Sequence, residues 1–222
     1  MHKLTKLAVI ALATTQLTAC NTLSESRPER EATQSEKIDA ALEKAAAQSG
    51  NQSASLIALE KQYKLKPENA SSALAYATGL RHAGYLNRAK MILEPFGKEQ
   101  TVAGGVNTEM SMIALGLGNY NSAENYAQKA VLQDPEDYNA YQNLGIALDA
   151  KEMHPEAERA FRKGLEHWQG DPTTIMNNLA LNLATQGFID EAVEVLERAK
   201  ALSPDRIELE RNLRIIRTLN ER

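Results

Sequence analysis

The sequence predicts an all-α chain: a solenoid of about four to five antiparallel helix hairpins, closed by a C-terminal capping helix. Three observations predict it. Alanines recur at Ala89, Ala123, Ala157 and Ala192, at spacings of 34, 34 and 35 residues. A period of that length marks one supersecondary unit stacked on copies of itself. Twelve residues before each stands a small residue, Ala77, Ser111, Gly145 and Ala180, so that two helices can approach closely at facing small positions. The composition agrees, with 43% hydrophobic but only 5% aromatic residues in 222. Alanine-packed helices fit it better than a β-sandwich, which calls for aromatic and β-branched strands.

The elements follow in chain order. Lys3 and Lys6 precede a short apolar run, Leu7 to Leu17. It is too short for a bilayer span of about 20 residues and fits the apolar region of a signal peptide over 1–19. The run ends in Leu17-Thr18-Ala19-Cys20, which resembles the bacterial lipobox. That resemblance implies a lipidated Cys20 at the mature N-terminus. Asn21, where Asp would imply retention at the inner membrane, implies the outer membrane on its periplasmic side. Residues 20–35 are polar, charged and poor in apolar side chains, and read as a flexible tether. Residues 36–69 read as a degenerate hairpin with an alanine-rich opening helix and with Leu59 and Pro67 roughly in place. Hairpins are expected over 70–103, 104–137, 138–172 and 173–206. Gly84-Tyr85-Leu86, Gly118-Asn119-Tyr120 and Gly187-Phe188-Ile189 mark turns within them. Pro135 and Pro204 end the second helices, and Pro95 should shorten one of them. Pro155 is placed where a helix start tolerates it. Residues 207–222 read as the cap, because Arg214 occupies the slot held by a small residue in the repeats.

Larger residues surround the small ones: Tyr76, Met110, Leu144 and Leu179 just before the first, and Leu93, Ala127, Phe161 and Leu196 four after the second. The whole pattern resembles the tetratricopeptide repeat (TPR), most closely over Ala140–Trp168 and Ile175–Pro204. The resemblance implies a groove lined by the first helix of each hairpin. In the family's register, one groove column is Thr78, Met112, Ile146 and Leu181. The column four residues earlier is Leu74, Thr108, Gln142 and Asn177, and the column three later begins Arg81, Leu115 and Asp149. The first column is largely apolar. Gln142, Ile146 and Asp149 stand where TPRs that clamp a carboxylate carry basic residues and Asn, so the expected ligand is an amphipathic segment of a protein partner. Two alternatives stay open. The alanine-rich helix at 36–48 could fill the groove itself, and exposed helix faces permit self-association.

No catalytic, metal-binding or cofactor motif emerges. The histidines at 82, 154 and 167 lie on different helix faces, there is no HExxH, CxxC or glycine-rich phosphate loop, and the one cysteine is assigned to lipid. A net charge of -4 gives no footprint for nucleic acid. The expectation is a non-enzyme that holds a partner at a membrane. Among TPR lipoproteins the chain resembles the TadD family of tight-adherence (Flp) pilus assembly, on the lipobox, the size, and the stretches Tyr76–Phe96 and Asn177–Leu202. That resemblance implies a periplasm-facing assembly factor for the pilus secretin in a Gram-negative bacterium. Secretin pilotins of type IV pili (PilF/PilW-like) and NlpI-like scaffolds for cell-wall enzymes are the alternatives.

Overall fold

A computed structural model of the chain describes residues 52–97 and 105–220. The signal peptide, Cys20, the tether and the opening helix of the 36–69 hairpin lie outside the described residues. Among the described residues are ten helices and no strand. They are α1 (Gln52–Leu65), α2 (Ala70–His82), α3 (Leu86–Leu93), α4 (Val106–Gly116), α5 (Tyr120–Gln133), α6 (Tyr138–Asp149), α7 (His154–Glu166), α8 (Thr173–Thr185), α9 (Ile189–Leu202) and α10 (Ile207–Asn220). Helices α2/α3, α4/α5, α6/α7 and α8/α9 pair as hairpins, α1 precedes them, and α10 packs on α9 and α8.

Three of the first helices have their start written in the sequence. Asn69 accepts hydrogen bonds from the Ser71 and Ser72 N–H groups at 2.9 and 3.0 Å. Asp137 accepts from Asn139 and Ala140, and Asp171 from Thr173 at 3.0 Å. These three side chains satisfy amide groups that have no partner within the helix. The polar residue in the loop between hairpins therefore opens the next helix.

The first helices also end alike. In all four hairpins a residue in the left-handed region follows: Gly84, Gly118, Glu152 and Gly187, with φ of 81°, 70°, 62° and 89°. The next N–H then reaches back to the helix, as from Tyr85 to Leu80 O (2.8 Å) and Phe188 to Leu183 O (2.9 Å), the helix-ending motif that glycine favours. Glu152 is the one L-residue in that column, so the turn is dictated by the fold even where the sequence does not favour it.

The period is visible in the packing. Ala89, Ala123, Ala157 and Ala192 are all fully buried, as are Ala77, Ser111 and Ala180. Leu93, Phe161 and Leu196 are buried one turn on from three of these alanines, each contributing about 1.5–3 kcal/mol by leaving water. Helix α3 stops at Leu93, two residues before Pro95, and is 8 residues long against 14 for α5 and α9. Trp168 falls just beyond α7 and packs on Tyr138 at the start of α6, with ring centroids 4.5 Å apart.

The core has two masses. One joins Ala73, Tyr76, Leu80, Leu93, Met110 and Ile113 with the flank of α1, and the other runs from Leu148 to Ile216. Between them lies a thin bridge of Ala114, Ala123 and Ala147. Polar contacts close this seam. The buried Asn143 amide donates to Ser111 Oγ at 2.7 Å and to Thr108 O at 3.3 Å, and Lys151 meets Glu124 at 2.5 Å.

Candidate functional site: the inner helix layer

Successive first helices touch one another: α2 meets α4, α4 meets α6, α6 meets α8, and α8 meets α10. The backbones of successive second helices stay farther apart among the described residues, with α7 and α9 bridged by the Arg162–Glu191 ion pair at 2.6 Å. A stack whose first helices close up while its second helices splay apart curves toward the first helices. The inner, concave wall is therefore α2, α4, α6, α8 and α10. The splay opens clefts on the outer side, including one of about 660 Å³ between α7 and α9, floored by Leu165, Trp168, Met176 and Val195.

Along the inner wall, Thr78, Met112 and Ile146 are half-buried and Leu181 is 39% exposed. Leu74 and Leu115 are half-buried beside them. The polar members of the predicted columns are mostly occupied. Arg81 holds Glu109 of the next hairpin through Nε at 2.6 Å and a second nitrogen at 3.3 Å. Thr108 is buried and donates to Asp137, so it supports the wall rather than lining it, a correction to the predicted groove set. The cause is the close approach of α6 to α4 at the polar seam. Asp149 accepts from Asn182 at 2.7 Å and contacts His154 Nδ1 at 2.8 Å. Asn177 accepts from Asn212 of α10 at 2.8 Å. Gln142 is half-buried, and its Oε1 has no hydrogen-bond partner.

Two residues of this wall escaped the sequence reading. Ile215 and Leu219 of α10 are 53% and 48% exposed, and Ile215 follows Leu181 by 34 residues. The signal was the period itself, carried one step into the cap. Asn182 and Asn212 were likewise missed as inter-hairpin bridges, since nothing in their local sequence distinguishes them from the half-buried Asn178.

His154 is tied to Asp149, and His167 stacks on Tyr141 with centroids 6.1 Å apart. Among the described residues no group of three or more His, Cys, Asp or Glu side chains could hold a metal ion, and no helix is long and apolar enough to cross a membrane.

Models of the tetratricopeptide repeat match residues 105–137 and 173–203, which are the α4/α5 and α8/α9 hairpins. These two hairpins carry tetratricopeptide repeats, and the packing of the hairpins is a TPR fold. The fold is similar to that of a thermophilic TPR protein in Thermus thermophilus, at 16% identity and a TM-score of 0.65, over 81% of this chain and 97% of that one. It is similar to MamA from Desulfovibrio magneticus RS-1, at 17% identity and a TM-score of 0.62, over 78% and 97%. It is also similar to YrrB, described as a TPR protein with an unusual peptide-binding site, at 19% identity and a TM-score of 0.58, over 76% and 86%. No curated protein sequence matches the chain.

Proposed function

We propose that this TPR protein is a lipid-anchored adaptor on the periplasmic face of the outer membrane. There it assists assembly of a tight-adherence (Flp) pilus by binding a segment of a partner, foremost the pilus secretin, in its concave groove. The observation that carries the groove is the apolar column Met112, Ile146 and Leu181, left partly open on a wall whose polar side chains are mostly bonded to each other. Such a surface selects an apolar helix face or extended segment, and Met112 adapts its shape to what it meets. The peptide site described for YrrB supports this use of a comparable solenoid. The anchor rests on Leu17-Thr18-Ala19-Cys20, and the pilus rests on the TadD-like stretches. The role is one of holding, with no catalytic step.

The test replaces Met112, Ile146 and Leu181 together by Ser in the full chain and follows co-purification of the secretin after cross-linking in membranes. Loss of the secretin with an unchanged helical spectrum supports the reading. Capture undiminished from the parent level removes the groove. Recovery of a cell-wall hydrolase or synthase in place of a secretin would move the protein to the scaffold class.

A further inference from the structure

Charge on the inner wall is committed along the four hairpins and left over at the cap. Arg81 holds Glu109 at 2.6 Å, His82 lies 3.3 Å from Arg81, and Asp149 contacts His154 and accepts from Asn182. These are the charged and titratable side chains of α2, α4 and α6, apart from the tyrosines, and α8 carries none. Helix α10 carries Glu208, Glu210, Arg211, Arg214 and Arg217. Glu208 meets Arg206 at 3.7 Å, Glu210 pairs with Lys200, and Arg217 meets Glu197 at 2.5 Å. Arg211 and Arg214 are exposed and make no ion pair or hydrogen bond among the described residues. Lys200 holds Glu210 by a hydrogen bond, and Arg214 acts on that carboxylate only through space. The other acids of this end lie elsewhere. Asp171 and Asp205 sit in the loops before α8 and α10, where Asp171 meets Arg206 at 3.4 Å, and Glu194 lines the outer cleft.

Arg211 is also in register with the groove. It continues the column Leu74, Thr108, Gln142 and Asn177 and stands one turn before Ile215 on the same side of α10. Its neighbour on the wall is the uncharged α8, with Leu181 39% exposed beside Ile215 at 53%. Arg214 occupies the slot held by a small residue in the hairpins and so opens onto the end of the solenoid. A segment lying along Met112, Ile146, Leu181 and Ile215 therefore meets Arg211 and, on leaving the wall, Arg214. The net charge of the chain is -4, so an acidic stretch finds its attraction at these two cations and little elsewhere. A flat bilayer cannot follow a concave wall, whereas a chain segment can.

We propose that the cap reads the direction of the bound segment. The partner segment whose apolar side chains fill the groove column carries Asp or Glu side chains at the end that crosses α10, and Arg211 and Arg214 bind them. This rests on the reading of the inner wall as a partner groove. The two arginines are three residues apart on one helix, about 5–6 Å between Cβ atoms, which suits neighbouring acidic side chains better than a single terminal carboxylate. Within the hairpins recognition is by apolar spacing; the charge lies beyond them, on the cap. Exposed ion pairs contribute little each, so these two decide which way a segment lies more than how tightly it is held.

The probe is a phage-displayed library of random peptides, selected on the immobilised full chain. Recovered peptides are synthesised with amidated C-termini, so that only side-chain carboxylates are present, and titrated against the parent and its variants. Peptides that lose binding when Met112, Ile146 and Leu181 are replaced by Ser should carry Asp or Glu clustered at one end. Arg211→Gln with Arg214→Gln should weaken them about 2- to 30-fold at low salt, with the helical spectrum unchanged, and should leave their Asn and Gln counterparts unaffected. Arg211→Lys with Arg214→Lys should retain most of the binding, and added salt should erase the difference between parent and double Gln variant. Peptides that need the apolar column but show no acidic cluster, or that bind the double Gln variant as tightly as the parent, would overturn the role of the cap and leave the groove standing. Recovery of no peptide that depends on the apolar column would overturn both. Phosphatidylglycerol vesicles bound by an unlipidated Cys20→Ser chain but not by its double Gln variant, with no acidic peptide selected, would assign the two arginines to a lipid surface and overturn the proposal.

Discussion

Gly145 faces Phe161 across the third hairpin, and the pair allows the packing logic to be tested numerically. A Cβ placed on Gly145 would lie 2.5, 2.6 and 2.8 Å from three ring carbons of Phe161, about 1 Å inside ordinary contact. The ring cannot swing into solvent, because Phe161 is 1% exposed and sits within the buried C-terminal core. Gly145→Ala should therefore incur an overpacking cost of about 1–3 kcal/mol. The gain in helix propensity offsets about 1 kcal/mol of this. The net expectation is a loss of about 0–2 kcal/mol, a fall in Tm of up to about 8 °C for a chain of this size. The single variant alone is a weak test, because its lower bound is zero. The decisive quantity is the coupling with Phe161→Leu, which removes the atoms that clash. Phe161→Leu alone leaves a void beside Gly145, whereas in the double variant the new methyl fills it. The double variant should be more stable than the sum of the single effects by about 1–2 kcal/mol, within the range found for residues in contact. Urea denaturation followed by circular dichroism measures all four corners of the cycle. Additive effects, within about 0.5 kcal/mol, would show that Gly145 and Phe161 do not set the spacing of this hairpin.

Two further outcomes follow from the helix ends. Glu152→Gly removes an L-residue from the left-handed region, where it costs about 1–2 kcal/mol, while adding chain entropy to the unfolded state; a rise in Tm by thermal melting is expected, and a fall would refute the account of the turn. Asp171 is held below the usual carboxylate range, foremost by the hydrogen bond from the Thr173 backbone N–H, with Ser203 and Arg206 adding to it. A depressed carboxylate stabilises the fold above its unfolded pKa, and that contribution is lost as pH falls through the folded value. Asp171→Asn should accordingly lower Tm at neutral pH, with the gap narrowing as pH drops below the ordinary carboxylate range; a gap independent of pH would exclude this origin.

The repeat was legible because close helix approach admits few residue types. Ala89, Ala123, Ala157 and Ala192 each had to be small, and the spacing of four such demands exposes the period. Pro95 announced the short α3 for an equally rigid reason, since its ring cannot continue a helix. The site was less legible. Whether a polar residue on a first helix faces the groove or a neighbouring helix depends on how far that neighbour slides toward it. Thr108 and Asn143 met at the seam between the two core masses, where alanines bring α4 and α6 together, while Asn178 lies half-buried on α8. Local sequence offers the same kind of Asn at 143 and 178, and only the stacking distinguishes them. Ile215 was hidden for a different reason: it lies in the cap, beyond the last hairpin, and the groove column crosses into it regardless.

The polar residues of the inner wall bear on what the groove can recognise. Arg81 and Glu109, Asn143 and Ser111, and Asp149 and Asn182 each join one hairpin to the next, and Asn177 and Asn212 join the last hairpin to the capping helix. A partner that engaged these groups would have to break an existing bond for each one it made, so the exchange gains little. The apolar side chains are not committed in this way. Met112, Ile146, Leu181 and Ile215 lie one hairpin apart in succession and keep surface that a ligand can still remove from water. Affinity is therefore available from apolar area and shape, at intervals fixed by the stacking. The same joints also hold the hairpins in register, which keeps that spacing constant. A segment whose apolar side chains match the interval gains at every step, and one with a different spacing gains at one step and loses the next. Discrimination between partners then comes from the repeat itself, without a charged clamp.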